Sequence, residues 1–178
     1  MNRKVLIVMG SDSDLEAMMP AIKILGELKV EHEVTVASAH RTPDRVVAMA
    51  RKAREDGFGL IIAGAGGAAH LAGVVAAHTT LPVLAVPIAI GTFGGIDALL
   101  SAIQMPGGVP VASVGVGGAR NAGLFAAQAI SVYDPVVAAA VDLFRSKQEG
   151  AVLEADARVK SKLGGKASPE VAAGKAPK

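Results

Sequence analysis

Five short apolar runs divide this chain of 178 residues, and they limit its possible folds more than any other feature. Most of them are nearly continuous in Val, Ile, Leu and Ala, which is typical of strands that are covered on both faces. The runs lie at residues 5–10, 32–38, 59–64, 82–87 and 110–116. Strands of this kind indicate a parallel sheet between two layers of helices.

Helical patterns fill the intervals between these runs and continue after the last of them. They lie at residues 14–28, 43–56, 68–78, 95–104, 119–131 and 134–148. The apolar face of the first helix is expected to consist of Leu15, Met18, Ile22 and Leu25. Because strand and helix alternate throughout, the predicted fold is α/β: a flavodoxin-like doubly wound parallel sheet in three α/β/α layers, with an extra C-terminal helix and tail.

The composition changes near residue 150. The preceding part has the length and apolar content of one domain, so we predict a single α/β domain over residues 1–149. From Gly150 onward there is no aromatic residue, and Gly, Pro, Ala and Lys are clustered. For residues 150–178 we predict a helical stub followed by a disordered tail.

Composition argues against several classes of protein. There is no cysteine, so disulfides and thiolate metal sites are excluded. Residues 1–149 contain 12 Lys and Arg against 13 Asp and Glu, which is unlike the basic surface of a nucleic-acid-binding domain. The first apolar run ends at Gly10 and is too short for a signal peptide or a membrane anchor. We therefore expect a cytoplasmic protein that binds neither nucleic acid nor membranes.

The low proportion of charged residues bears on assembly. Only 19% of the residues are charged while 51% are hydrophobic, although a small monomer must cover a large surface relative to its volume. This balance favours burial of part of the surface between copies of the chain. An Ala- and Gly-rich monomer would have a similar composition, so composition alone does not determine the oligomeric state.

The loops that follow the strands carry the polar residues of interest. In an open α/β sheet, the carboxyl ends of the strands share one edge, and ligands bind there. In the first loop, "MGSDSD", Ser11 and Ser13 offer hydroxyls beside the unpaired N–H groups of a helix N-terminus, where anions bind. Asp14 is suited to accept hydrogen bonds from sugar hydroxyls. Alternatively, Ser13 or Asp14 only caps the helix, and capping is compatible with ligand binding.

The second loop, "SAHRTP", places a histidine and an arginine side by side between a strand and a helix. The planar guanidinium of Arg41 is suited to a phosphate group. His40 shares an edge with this anion site, which makes it a candidate acid or base. Pro43 lies in the first turn of the following helix and fixes its start.

The third loop, "AGAGGAAHLAG", lets the backbone approach a ligand closely. Its spacing matches neither a dinucleotide-binding fingerprint nor a P-loop, so a nucleotide cofactor is disfavoured. The four histidines of the chain are too scattered for a metal site. His70 either packs within its helix or faces the ligand. The residues alone predict a cleft for a phosphorylated small molecule that undergoes proton transfer, with no cofactor and no metal.

Five segments in this order carry a family resemblance: "MGSDSD", "SAHRTP", "AGAGGAAHLAG", "QMPGGVPVAS" and "NAGLFAAQAI". From about residue 4 to residue 148, the chain resembles the class I N5-carboxyaminoimidazole ribonucleotide mutases, the PurE family of de novo purine biosynthesis. The resemblance implies an isomerase that moves a carboxylate from the exocyclic nitrogen to ring carbon C4 without ATP, metal or organic cofactor. It also implies a homo-octamer with active sites at subunit junctions.

The same resemblance implies roles for individual residues. His40 is expected to be the proton carrier, and Ser11, Asp14 and Arg41 are expected to bind the ribonucleotide. Further substrate contacts are expected from Ser38, Gly66, Gly67, Ala68 and His70. The chain departs from the family pattern at Leu15, at Ala72, in the segment 88–95 ("IAIGTFGG") and in "DALLSAIQMP". Of these, the segment 88–95 should border the site and affect substrate affinity.

Two alternatives stay open. One is direct carboxylation of aminoimidazole ribonucleotide by CO2, as in class II relatives, which usually carry "SAHK" and lack "GGAAHL". Arg41 and the segment 66–70 therefore favour class I. The other is a non-catalytic ribonucleotide-binding homologue, for which the altered segment 88–95 is the only support.

Overall fold

The computed structural model describes residues 4–164. The chain consists of two compact units, Met1–Val141 and Asp142–Lys178. The first unit holds the whole sheet and five of the six α-helices described below. The boundary between the units falls within the last helix.

The sheet of the first unit has five parallel strands. They are β1 (Lys4–Met9), β2 (His32–Val36), β3 (Phe58–Gly66), β4 (Val83–Ile88) and β5 (Ala112–Ser113). Their order in the sheet is β2-β1-β3-β4-β5, and every neighbouring pair is parallel. This is the order of a flavodoxin-like doubly wound sheet, so the predicted fold is confirmed.

The last strand is shorter than the apolar run 110–116 suggested. Only Ala112 and Ser113 pair with β4 in a regular ladder. Beyond them, the N–H groups of Val114 and Gly117 donate to the carbonyls of Ala85 and Pro87. The chain therefore follows β4 past the end of β5, but Gly117 has φ +69°, which takes the backbone out of the strand conformation.

Within residues 4–164, six α-helices accompany the sheet. They are α1 (Leu15–Glu27), α2 (Pro43–Lys52), α3 (Leu71–Ala77), α4 (Ile96–Ile103), α5 (Ala119–Ser131) and α6 (Pro135–Lys162). Helices α1 and α5 pack against each other, as do α2 and α3. The start of α6 is fixed by Asp134, whose carboxylate accepts hydrogen bonds from the N–H groups of Val136 and Val137 at 3.0 and 3.3 Å.

The core lies on both faces of the central strands. Strand β4 is buried along its whole length, and β1 is buried at every residue from Val5 to Met9. Each fully buried aliphatic side chain stabilises the fold by about 1.5–3 kcal/mol relative to an exposed one. A cluster that includes Val8, Val46 and Val75 fills the space between the sheet and α2 and α3.

Small residues let helix α1 approach its neighbours closely. A Cβ atom at Gly123 of α5 would lie 2.4 Å from Cγ2 of Ile24, and one at Gly64 of β3 would lie 2.4 Å from Sδ of Met18. Neither position has room for a side chain. The close approach fixes α1 against both the sheet and α5.

The buried face of α1 differs from the predicted one. Its buried residues are Met18, Ala21, Ile24 and Leu25, whereas Leu15 is 44% exposed. The predicted face was chosen from the large apolar side chains. The small Ala21 nevertheless faces α5, where it allows the tight contact with Gly123. The buried stripe is therefore turned away from Leu15.

The second unit is mainly the remainder of α6. The helix predicted over residues 134–148 continues through Gly150 to Lys162. Its surface carries ion pairs one turn apart, between Glu154 and Arg158 at 3.8 Å and between Asp156 and Lys160 at 2.8 Å. Such exposed pairs contribute about 0.5 kcal/mol or less each. The predicted disorder of the last residues, 165–178, lies outside the described part of the chain.

Between residues 4 and 164 there is no helix with the length and apolar character needed to cross a membrane.

Candidate active site

The loops at the carboxyl edge of the sheet enclose one open cleft. Because the strand order is β2-β1-β3-β4, the loops stand along the edge in the same order. The cleft has a volume of about 320 Å³. It is lined by Gly10, Ser11, Ser13, Asp14, Ser38, Ala39, His40, Arg41, Ala65, Gly66, Ala69, His70, Leu71 and Ile90.

The loop after β1 contributes a buried carboxylate. Asp14 is 9% exposed, and its Oδ2 accepts a hydrogen bond from the N–H of Ser11 at 3.0 Å. Burial raises the pKa of Asp14 above its usual value, whereas the N–H of Ser11, the charge of Arg41 and the N–H of Gly10 act in the opposite direction. The bond to Ser11 caps the turn but uses only part of the acceptor capacity of a carboxylate. Capping and ligand binding are therefore compatible at Asp14.

The loop after β2 holds Arg41 in a fixed position. Its Nη2 donates to the carbonyl of Gly10 at 2.8 Å, and its Nε donates to Oγ of Ser38 at 3.4 Å. Ser38 is itself held, because its N–H donates to Oγ1 of Thr42 at 2.9 Å. The guanidinium thus joins the first two loops while its other N–H groups remain available to bind an anion in the cleft.

Two histidines meet across the cleft. Nε2 of His40 lies 2.8 Å from Nδ1 of His70, and the ring planes are inclined by 82°. One nitrogen must donate and the other accept, so this bond allows at most one of the two facing nitrogens to carry a proton. Both side chains are exposed to the cleft. The arrangement can hold a proton at a defined place and release it to a ligand.

The loop after β3 presents His70 through an unusual backbone turn. Gly67 has φ +61°, and Ala69 has φ +36° although it is not a glycine. A left-handed conformation costs a non-glycine residue roughly 1–2 kcal/mol. Packing compensates for this cost, since Ala69 is only 5% exposed. The turn brings the chain out of β3 and starts α3 directly after His70.

A family model described as AIR carboxylase matches residues 4–151. The chain belongs to the AIR carboxylase family. A family member from Thermotoga maritima, named N5-carboxyaminoimidazole ribonucleotide mutase, is 50% identical over 151 residues, which are 85% of this chain and 88% of the relative. The resemblance to the PurE family is thereby confirmed.

Two further relatives in the AIR carboxylase family widen the comparison. Phosphoribosylaminoimidazole carboxylase of Schizosaccharomyces pombe is 51% identical over 148 residues, covering 83% of this chain but 27% of that protein. A crystal structure of Treponema denticola PurE has a TM-score of 0.81 and 30% identity, covering 88% of this chain and 98% of the other. The solved structure supports the assignment of the fold. The two relatives of about 50% identity are the ones relevant to function.

The structure brings most of the predicted site residues together within this family fold. Those that line the cleft are Ser11, Asp14, Ser38, His40, Arg41, Gly66 and His70. Gly67 and Ala68 are not among the lining residues, so their predicted contact with substrate remains a prediction. The ring of His32 lies 2.9 Å from the carbonyl of Val30, outside the cleft.

The segment 88–95 was expected to border the site, and Ile90 of that segment lies in the cleft wall. The sequence did not indicate Gly10 as the partner of Arg41. Within residues 4–164 of this family member, no group of three or more His, Asp or Glu side chains is arranged to hold a metal ion.

Proposed function

We propose that this protein is an N5-carboxyaminoimidazole ribonucleotide mutase of de novo purine biosynthesis. The observation that carries the proposal is one cleft that combines the anchored Arg41 with the 2.8 Å contact between His40 and His70. An anion site and a proton carrier are what the isomerisation of a ribonucleotide carboxylate requires. The 50% identity to the relative of that name supports the same reaction.

The polar end of the cleft is suited to the ribose phosphate. Arg41 offers N–H donors to the phosphate, and Ser38 fixes the guanidinium. The hydroxyls of Ser11 and Ser13 line the same end of the cleft. Asp14 accepts hydrogen bonds from ribose hydroxyls. Burial raises its pKa, so its charge is sustained by the N–H of Ser11 and the positive charge of Arg41.

The glycine-rich end is suited to the imidazole ring and its carboxylate. We assign to Gly66, Gly67 and Ala68 backbone contacts with the migrating carboxylate, which N–H groups would stabilise. His70 contacts the ring and holds His40 through the 2.8 Å hydrogen bond. The close approach of a planar ring requires a wall without large side chains.

His40 moves the proton in both halves of the proposed reaction. The bond between the exocyclic nitrogen and the carboxyl carbon breaks, its electron pair remains on nitrogen, and nitrogen takes the proton of His40. CO2 is released within the cleft. Ring carbon C4 then forms a bond to CO2 and gives its own proton back to His40. The reaction is an isomerisation, so it consumes neither a cofactor nor ATP, and one imidazole that first donates and then accepts a proton serves both steps.

Turnover with two substrates tests the proposal. Purified protein is given either the N-carboxylated ribonucleotide or aminoimidazole ribonucleotide with bicarbonate, and the C4-carboxylated product is measured. The mutase should convert the first substrate much faster than the second. No product from either substrate would contradict the assignment and support a non-catalytic ribonucleotide-binding homologue.

A second candidate is direct carboxylation of aminoimidazole ribonucleotide. The 51% identity to the fungal protein named phosphoribosylaminoimidazole carboxylase favours it, although this chain spans about a quarter of that protein. Arg41 and the segment 66–70 favour the mutase, as argued from the sequence. If product forms faster from aminoimidazole ribonucleotide and bicarbonate than from the N-carboxylated ribonucleotide, the protein is a carboxylase.

We further propose a cytoplasmic homo-octamer whose active sites lie at subunit junctions. Helix α4 supports an interface, because Ile96, Leu100 and Ile103 form an apolar stripe and are 56, 48 and 45% exposed. A cleft that is open in one chain becomes enclosed when another chain covers its rim.

Light scattering should therefore give a particle of about eight times the 17.9 kDa of one chain. The measurement should be made at micromolar concentration, with and without the ribonucleotide substrate. A monomer under both conditions would contradict this prediction.

The catalytic domain is proposed to lie within residues 1–149, with the C-terminal residues dispensable. The family match ends at residue 151. Deletion of residues 165–178 should leave folding, assembly and turnover nearly unchanged, because that segment is poor in core-forming residues. Circular dichroism, light scattering and turnover of the truncated chain check this result. Loss of the oligomer on truncation would assign the segment to an interface.

A further inference from the structure

The cleft has a polar end and an apolar end. Along the sheet edge the loops follow the order of β2, β1, β3 and β4, which puts Arg41 near one end and Ile90 at the other. The first two loops supply hydroxyl, carboxylate and guanidinium groups. The last two supply mainly Ala65, Gly66, Leu71 and Ile90. The histidine pair bridges the loops that follow β2 and β3.

Ile90 lies directly against the glycine wall. A Cβ atom at Gly66 would be 2.7 Å from Cγ1 and 2.8 Å from Cδ1 of Ile90, and one at Gly67 would be 3.5 Å from Cδ1. The side chain of Ile90 therefore occupies the space that a residue larger than glycine would need. It is 50% exposed, and the exposed part contributes to the lining of the cleft.

We propose that Ile90 determines how well the cleft retains CO2 between its release and its addition to C4. This inference rests on the proposed function. The phosphate anchors the ligand at Arg41, so the ring and the departing carboxyl group lie toward the apolar end. CO2 has no charge and no strong hydrogen-bonding group, whereas water requires polar partners. An isoleucine at this wall favours CO2 over water, and a hydroxyl at the same place reverses that preference.

Loss of CO2 and its addition to C4 use the same carbon atom when retention is complete. When CO2 escapes, aminoimidazole ribonucleotide is left with the proton of His40, and dissolved CO2 replaces the lost molecule. Escape of CO2 therefore changes the isotope at the C4 carboxylate of the product, while the product remains the same compound.

The test uses substrate labelled with ¹³C in the N-carboxylate, in the presence of excess unlabelled bicarbonate. In the wild-type protein most of the C4-carboxylated product should carry the label. In Ile90→Thr the ratio of lost to retained label should rise roughly fourfold, the factor associated with one buried methylene. Ile90→Leu keeps the apolar surface and should retain label as the wild type does.

Val132→Thr is the matched control, because it also replaces a β-branched apolar side chain with threonine, at a position that is 84% exposed and is neither a cleft residue nor part of the apolar stripe of α4. Circular dichroism and light scattering report whether each variant is folded and assembled. Equal label retention in the wild type and Ile90→Thr would overturn the inference, as would an equal loss in Val132→Thr. If the wild type forms no product from either substrate, the proposed function itself is wrong and the inference falls with it. Wild-type turnover with unchanged retention in Ile90→Thr refutes the inference alone.

Discussion

Replacing His40 with asparagine should lower kcat by on the order of a hundredfold or more while ligand affinity changes little. Asparagine keeps a polar group of similar size beside Nδ1 of His70, but it cannot carry a titratable proton. The ligand contacts proposed for Arg41 and Asp14 are not altered by the change. Turnover and equilibrium binding of the ribonucleotide, measured on the same protein sample, check this result.

His78→Asn is the matched control for His40→Asn, since His78 ends helix α3 away from the cleft. Its turnover should equal that of the wild type. If His40→Asn turns over normally, or loses affinity with unchanged kcat, the proton-carrier role of His40 is refuted. Both variants should remain folded, because neither side chain belongs to the core.

Arg41→Ala should raise KM more than it lowers kcat. The variant loses charged hydrogen bonds to the phosphate, each of which contributes about 1.5–3 kcal/mol, or roughly tenfold to a hundredfold in affinity. Part of the loss will reach kcat if the phosphate also positions the ring. Arg41→Lys keeps the charge without the planar fork, so its KM should lie between those of the wild type and Arg41→Ala.

The pH dependence of Arg41→Ala provides a second readout. The charge of Arg41 lowers the pKa of Asp14 against the effect of burial, so its removal raises that pKa further. As pH falls, Asp14 becomes protonated earlier in the variant, and its KM should therefore rise more steeply toward acidic pH than that of the wild type. Arg45→Ala is the control, because Arg45 donates to Oγ1 of Thr35 at 3.1 Å on the outside of α2. An unchanged KM in Arg41→Ala would remove Arg41 from the substrate site.

Strands β1 and β4 were predictable because burial on both faces requires an almost continuous apolar sequence. Val5–Met9 and Val83–Ile88 are apolar throughout and buried throughout. A helical stub was predicted after Gly150, but a single helix from Pro135 through Gly150 to Lys162 was not, because Gly150 was interpreted as the end of the domain. One glycine costs a helix only about 1 kcal/mol, and the following residues, rich in Ala, Glu, Arg and Lys, favour helix.

The site was predictable in its loops but not in its contacts. Three loops with Ser11, His40 and His70 follow three strands, and parallel topology alone brings them to one edge. The 2.8 Å contact between His40 and His70 depends on the left-handed turn at Ala69. Alanine rarely adopts this conformation, so the sequence did not predict the turn. The bond from Arg41 to Gly10 likewise joins a side chain to a backbone carbonyl, and every residue has such a carbonyl.

The tight contact between Gly64 and Met18 links the proposed substrate site to a residue that does not line the cleft. The carbonyl of Gly64 accepts a hydrogen bond from the N–H of Gly10 at 3.3 Å, and Met18 lies one turn beyond Asp14 on the same stretch of chain. An extra methyl group on Gly64 would force the buried side chain of Met18 to move, one turn beyond Asp14. We expect such a change to weaken ligand binding as well as to lower thermal stability. In a screen of random variants, this glycine would therefore score as an active-site residue although it belongs to the sheet.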